Sequence, residues 1–196
     1  LNCGFTISLD KIVSGADLYI ISVKDSVLHS VLNEVVKKVG DGVVVHTAGS
    51  VPISVFGNTN VRHGVFYPMQ TFSKQKVVDF NEISIFVEAS DEDTCKILEA
   101  FSRELTEKVY RLDSDKRCYL HLAAVFACNF ANHCFALSDK ILHAHNIPFS
   151  VMLPLIKETV GKLDALSPNN AQTGPAARRD TEVMRKHAEL IGDQMT

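Results

Sequence analysis

The sequence has no surplus of basic charge. Its 20 Lys and Arg stand against 23 Asp and Glu, a formal net charge of −3, and no basic cluster is interleaved with aromatics, which argues against nucleic acid as a partner. Cys-x-x-Cys spacing is also absent. Cys3, Cys95, Cys118, Cys128 and Cys134 are odd in number and mostly sit in helical patterns, so reduced thiols, no disulfide and a cytoplasmic setting are expected. Cys118, Cys128 and His121 invite a zinc reading, but 118 and 128 lie too far apart along one helix to share an ion, and no metal site is expected. No signal peptide is visible. No Gly-x-Gly-x-x-Gly turn occurs anywhere, so the residues by themselves do not demonstrate dinucleotide binding. One run alone approaches membrane-spanning length, and its repeated His and Asn would be costly at a bilayer centre, so it is read as a core helix and no membrane partner is expected.

What is present begins with that run. Residues 114–146 open on a capping serine and an acidic first turn, contain neither Gly nor Pro, and stop just before Pro148, which predicts one long helix. Its apolar residues occur all the way round, the pattern of a helix buried by other helices or by a second subunit. His121, Asn129 and either Asn132 or His133 interrupt the apolar surface near one stripe. Buried imidazoles and amides need partners, so the stripe is expected to meet polar groups inside the protein or across a dimer interface, or to meet a ligand.

Ahead of the helix, the apolar run at 18–23 reads as a strand buried on both faces. A helix follows, with Val27, Leu28, Val31, Leu32 and Val35 on its apolar face and an end at Gly40. A second buried strand spans 42–47. Strand, helix and strand make a βαβ unit, and the second strand runs into His46-Thr47-Ala48-Gly49-Ser50, at the carboxyl end where ligands of open α/β sheets bind. A strand over 62–72 runs into a Pro-marked loop, another covers 83–89, a helix covers 91–105, and an edge strand covers 108–112. Beyond 113 no strand pattern remains. Helices are predicted from 149 to about 166 and from 180 to about 191, separated by a long loop in which Arg178 and Arg179 either bind an anion or stay solvated. The fold class is therefore α/β: an incomplete Rossmann-type, mostly parallel sheet over 1–113, then an all-α domain over 114–196.

The segments DLYIISVKD, VVVHTAGSVP, RHGVFYPMQTFSK, LHLAAVFACNFANH and LSPNNAQTGPAARRD carry a resemblance that covers nearly the whole chain. Together they resemble a family of uncharacterised Rossmann-like NADP oxidoreductases with a helical carboxyl-terminal dimerisation domain, distantly similar to pyrroline-5-carboxylate reductase, prephenate dehydrogenase and 6-phosphogluconate dehydrogenase. The resemblance places the family's first strand, Gly-rich turn and first helix ahead of Leu1. It implies NADP or NAD as cofactor, with Ser22, Val23, Lys24, Thr47, Ala48 and Gly49 facing it, and His46 and residues 67–71 near the nicotinamide. It also implies a homodimer. One departure stands out: hydroxyacid dehydrogenases of the wider group carry a lysine one turn before an asparagine on the long helix, and here that position is Val125.

The leading expectation is an NAD(P)-dependent oxidoreductase with a small-molecule substrate held between the sheet's carboxyl edge and the long helix. His121, Asn129 and His46 are the candidate catalytic residues, and Tyr67, Gln70 and Thr71 the candidate substrate contacts. His121 is the candidate for proton transfer, because imidazole titrates near neutral pH. The alternative is a dinucleotide-sensing or dimeric interaction protein that keeps the fold without chemistry.

Overall fold

A computed structural model describes residues 3–192; the outermost residues of the two expected domains, 1–2 and 193–196, lie outside it. By packing, the chain divides into two compact units, Leu1–Cys128 and Asn129–Thr196. The expected division after Asp113 marks the end of the sheet, and the first turns of the helix that follows go with the sheet.

In the first unit five strands, β1 (Leu18–Ile21), β2 (Val43–His46), β3 (His63–Pro68), β4 (Ile85–Ala89) and β5 (Val109–Arg111), lie side by side in sequence order. The β1–β2, β2–β3 and β4–β5 pairs are parallel, and β3–β4 is antiparallel. The mostly parallel α/β sheet is the expected one. The segment before β1 contains a short 3-10 turn at Leu9–Lys11 capped by Ser8.

Helix α1 (Asp25–Val35) buries Leu28, Leu32 and Val35, spaced four and three apart on one stripe, over Tyr19 and Val44 of one sheet face. Helix α2 (Glu92–Arg103) covers the opposite face, burying Cys95 and Leu98 against Val43, Val45, Phe66, Ile85 and Val87. Asp91 starts it by accepting a hydrogen bond from the Thr94 amide at 2.8 Å. The contact is close because Gly64 has no side chain: a Cβ there would collide with the Glu88 carbonyl and stand 2.8 Å from Leu98 Cδ1.

The long helix forms over Ser114–Ala144, as α3 (Ser114–Ala124), a π-helical segment (Val125–Phe130) and α4 (Ala131–Ala144). The π segment, with its wider turn, interrupts the 100° phase on which His121 and Asn129 share a stripe. By length and composition this helix could cross a membrane, yet its first turns are built into the sheet unit. Only Arg117 among its residues is buried, so the chain by itself does not supply the burial its apolar surface predicts.

The second unit is helical throughout. Asn146, in the left-handed region at φ 57°, closes the long helix, and the Ile147 amide returns to the Leu142 carbonyl at 3.0 Å. A 3-10 turn (Phe149–Met152) leads into α5 (Leu153–Gly161), and α7 (Thr181–Ile191) is capped by Asp180 accepting from the Val183 amide. The loop expected over 167–180 contains one short helix, α6 (Pro168–Ala171). Among the described residues of this unit none is buried.

Candidate functional site

Strands β1, β2 and β3 run in the same direction, so their carboxyl ends share one edge of the sheet. Pairing puts His46, Val65 and Glu88 in one row across β2, β3 and β4, on one face. Tyr67 lies two residues beyond Val65 on the same face. The first turns of α3 settle on this part of the sheet. There the Tyr67 Oη and His121 Nδ1 lie 3.1 Å apart, with the rings meeting edge to face at 69°. Gly49, just past the end of β2, passes directly against them: a Cβ on it would stand 2.5 Å from His121 Nδ1 and 2.9 Å from Tyr67 Cζ. Only a residue without a side chain lets the loop run there.

Beside the pair is a buried polar network built on Arg117, which is 1% exposed. One Nη donates to the Glu88 carboxylate; the other donates to the Val51 carbonyl at 2.6 Å and to Ser114 Oγ at 3.2 Å. Ser114 Oγ in turn donates to Glu88 at 2.7 Å and accepts from the Ile53 amide at 2.9 Å. Cys118 donates to the Ser50 carbonyl at 3.4 Å, and Ser50 donates to Asp25 at 2.5 Å. The loop after β2 is thereby fastened to α3 and to the start of α1.

His46 lies beneath this layer, 0% exposed and stacked on Phe56. Its Nδ1 accepts from the Ala48 amide at 3.2 Å, so the neutral ring carries its proton on Nε2, which makes no well-formed hydrogen bond. Burial, aided by the Arg117 charge and opposed by Asp25 and the Pro52 carbonyl, pushes its pKa down to about 4. A neutral, enclosed His46 acts as a support for the loop. Burial raises the Tyr67 phenol above its usual value; the Arg117 charge pulls it down and Cys128 pushes it up.

The structure thus brings Gly49, Tyr67 and His121 together, with His46 and Ala48 behind them. Ser22, Val23 and Lys24 are exposed after β1, and Thr47 and Ala48 are half-buried after β2. Gln70 and Thr71 are exposed on the loop after β3, where the Gln70 side chain accepts from the Thr71 amide at 2.8 Å. Asn129 is exposed and opens the second unit. Among the described residues no His, Cys, Asp and Glu cluster could hold a metal ion. Sequence reasoning missed Arg117 and Glu88, and it took Ser114 for the helix cap, whereas Asp113 caps α3 by accepting from the Lys116 amide at 2.8 Å and Ser114 bonds to Glu88 and the Ile53 amide. Two signals were available: Arg117 lies one turn before His121, and Glu88 is a lone carboxylate in an apolar strand, a group that needs a cation if buried.

Residues 83–196, more than half of the chain, match the family model described as a domain of unknown function, DUF2520. The chain belongs to the DUF2520 family. It is similar to a crystal structure from Bacteroides fragilis provisionally named an NADP oxidoreductase, with 47% identity over 96% of this chain and 73% of that one, and a TM-score of 0.91. A Thermotoga maritima protein matches at 24% identity and TM-score 0.69, over 87% of this chain and 68% of its own. An NADH-preferring ketol-acid reductoisomerase from an uncultured archaeon matches at 12% identity and TM-score 0.59, over 91% and 59%. These last two show the shared Rossmann-like fold alone. No curated protein matches the DUF2520 chain.

Proposed function

We propose that this DUF2520 chain is an NAD(P)-dependent oxidoreductase acting on a small molecule at the carboxyl edge of its sheet. The reading rests on one observation, the Tyr67–His121 pair seated against Gly49 where β2 and β3 end. The fit to a dinucleotide is favourable along the strand ends expected to face it: Ser22, Val23 and Lys24 are exposed, Thr47 and Ala48 are half-buried, and Lys24 begins α1 without any side-chain cap bond. No Gly-rich pyrophosphate cradle is among these residues. A bound NAD(P)H would supply hydride. The Bacteroides fragilis relative's name, which specifies NADP, agrees with that assignment.

The chain's own residues supply the proton. A phenol is the better donor to a neutral imidazole, so Tyr67 donates to His121 Nδ1 and His121 keeps its proton on Nε2. When Nε2 releases its proton to a substrate oxygen or nitrogen, Nδ1 takes the phenolic proton. The charge left on Tyr67 then sits in the field of Arg117. Catalysis by such a positioned group contributes on the order of 100-fold or more. We also propose that 1–113 supplies the cofactor side, and that the helical part is a homodimerisation domain. Not one described residue of 129–192 is buried, and Leu155 and Leu190 are 58% and 78% exposed, so a second copy is the natural cover.

The test measures saturable NADPH binding by the whole protein, then substrate-dependent NADPH oxidation against a panel of oxo acids, imines and aldehydes. Turnover that falls about 100-fold in His121→Gln with cofactor affinity kept supports the reading. Binding with no turnover on any panel member returns the protein to a sensing role.

A further inference from the structure

We infer that Arg117 is the positioning residue of the Tyr67–His121 pair, its guanidinium fork tying together the three elements that hold the pair and its floor. This rests on the proposed role of the pair and goes beyond it. His121 is one turn after Arg117 on α3. Tyr67 is on β3, whose Val65 stands opposite Glu88, the carboxylate that Arg117 grips. Gly49 precedes by two residues Val51, whose carbonyl Arg117 also grips at 2.6 Å. One side chain therefore sets the spacing of helix to strand and of helix to loop. Ser114 repeats both ties, to Glu88 and to the Ile53 amide, and it too starts from α3.

A buried ion pair is weak evidence for stability, since apolar residues of equal volume often do as well. Its value here is orientation. The planar guanidinium directs two donors along fixed lines to a carboxylate and a carbonyl, whereas an ammonium is a point charge on a flexible stem. Arg117 also leaves its Nε without a partner. Such a loss is tolerable where the two Nη contacts are what the fold requires.

The experiment reads the tautomer of His121 by long-range nitrogen–proton NMR correlation in the full chain, the His121 signals being identified by their loss in His121→Gln. In the wild type the neutral ring should be locked with its proton on Nε2, and in Tyr67→Phe the lock should be lost. Arg117→Gln combined with Glu88→Gln removes both charges and keeps polar side chains. While still folded by circular dichroism, it should show the mixed tautomers of Tyr67→Phe. Should that double variant not fold, Arg117→Lys, which keeps a cation for Glu88 but lacks the fork, carries the test on the same criterion. A His121 still locked in the folded variant overturns the inference about Arg117 and leaves the pair standing. A mixed tautomer in the wild type overturns the pair, and the inference with it. The absence of NADPH turnover bears on the proposed chemistry alone.

Discussion

The two units of the chain use apolar residues in opposite ways. In the first, β2 is buried at all four positions and two side-chain clusters close over the two faces of the sheet. In the second, apolar side chains are somewhat less frequent but still abundant, and none among the described residues is buried. One helix runs through both. Its start spends Ser114, Arg117, Cys118 and His121 on the sheet unit, and after the π segment it presents an apolar surface that its own unit does not enclose. A sheet can complete its core within one chain, because helices fold back on both faces. A few helices with apolar residues on every side require something else to cover them.

The sharpest way to break the comparison is to remove one charge from each unit. Arg117→Ala leaves Glu88 and Ser114 without their cation and should cost about 3–5 kcal/mol in urea unfolding. Arg185 in α7 is paired with Glu182 and Glu189 on the surface; Arg185→Ala should change stability by about 0.5 kcal/mol or less. Equal effects would mean that the burial contrast between the units does not exist in solution.

A pH series comes next in size. His46 has a folded pKa of about 4 against the ordinary 6.5, so above pH 6.5 neither state holds the proton and stability is unaffected. As pH falls through that interval the unfolded chain takes up a proton that the folded one refuses. The first unit should lose stability progressively, by roughly 3 kcal/mol near pH 4. Urea midpoints of wild type and His46→Gln measured across this range should converge as pH falls. Parallel curves would show that His46 is not enclosed.

A smaller effect should expose what covers the second unit. Leu155 is more than half exposed, and a surface substitution normally changes stability by no more than about 0.5 kcal/mol. If a second copy lies over it, Leu155→Asp buries a charge and should weaken the dimer by about 2 kcal/mol, seen in light scattering as dissociation at micromolar protein. A wild-type protein that is monomeric at all concentrations removes the proposed homodimer.

Much of the first unit was legible because its signals are local. Continuous apolar runs bounded by turn residues marked β1 and β2, and the spacing of Leu28, Leu32 and Val35 marked α1. The site was legible only in part. His46, Gly49, Tyr67 and His121 could be chosen because strand ends and a polar break in a helix are visible in one dimension, but their order in depth was not: His46 lies under the loop, and Tyr67 meets His121. Arg117 and Glu88 escaped notice because an arginine in the first turns of a helix usually faces solvent. Only the antiparallel pairing of β3 with β4, which sets Val65 opposite Glu88, brings Glu88 under it. The π segment was invisible for a similar reason, since VFACNF has no residue that demands a wider turn.

The finest contrast between the units is one methyl group placed in each. Gly49→Ala needs no unusual backbone angle, so its effect is steric: the new Cβ would fall 2.5 Å from His121 Nδ1, 2.8 Å from His121 Cγ and 2.9 Å from Tyr67 Cζ. The ring of His121 must swing away or the loop must lift, at a cost of about 1–2 kcal/mol for overpacking, and either movement breaks the Tyr67 hydrogen bond. Gly161 ends α5 with φ −60° and ψ −28°, and the space where its Cβ would go is empty. There the same change limits the unfolded chain and favours the helix, so Gly161→Ala should gain about 0.5–1 kcal/mol. Thermal melts of the two variants should therefore move in opposite directions, and only Gly49→Ala should release the His121 tautomer. A Gly161→Ala protein that is destabilised, or that loses its dimer, would mean that the open space beside α5 is filled in solution by the second copy. That outcome would make the apparent looseness of the helical unit a property of the isolated chain.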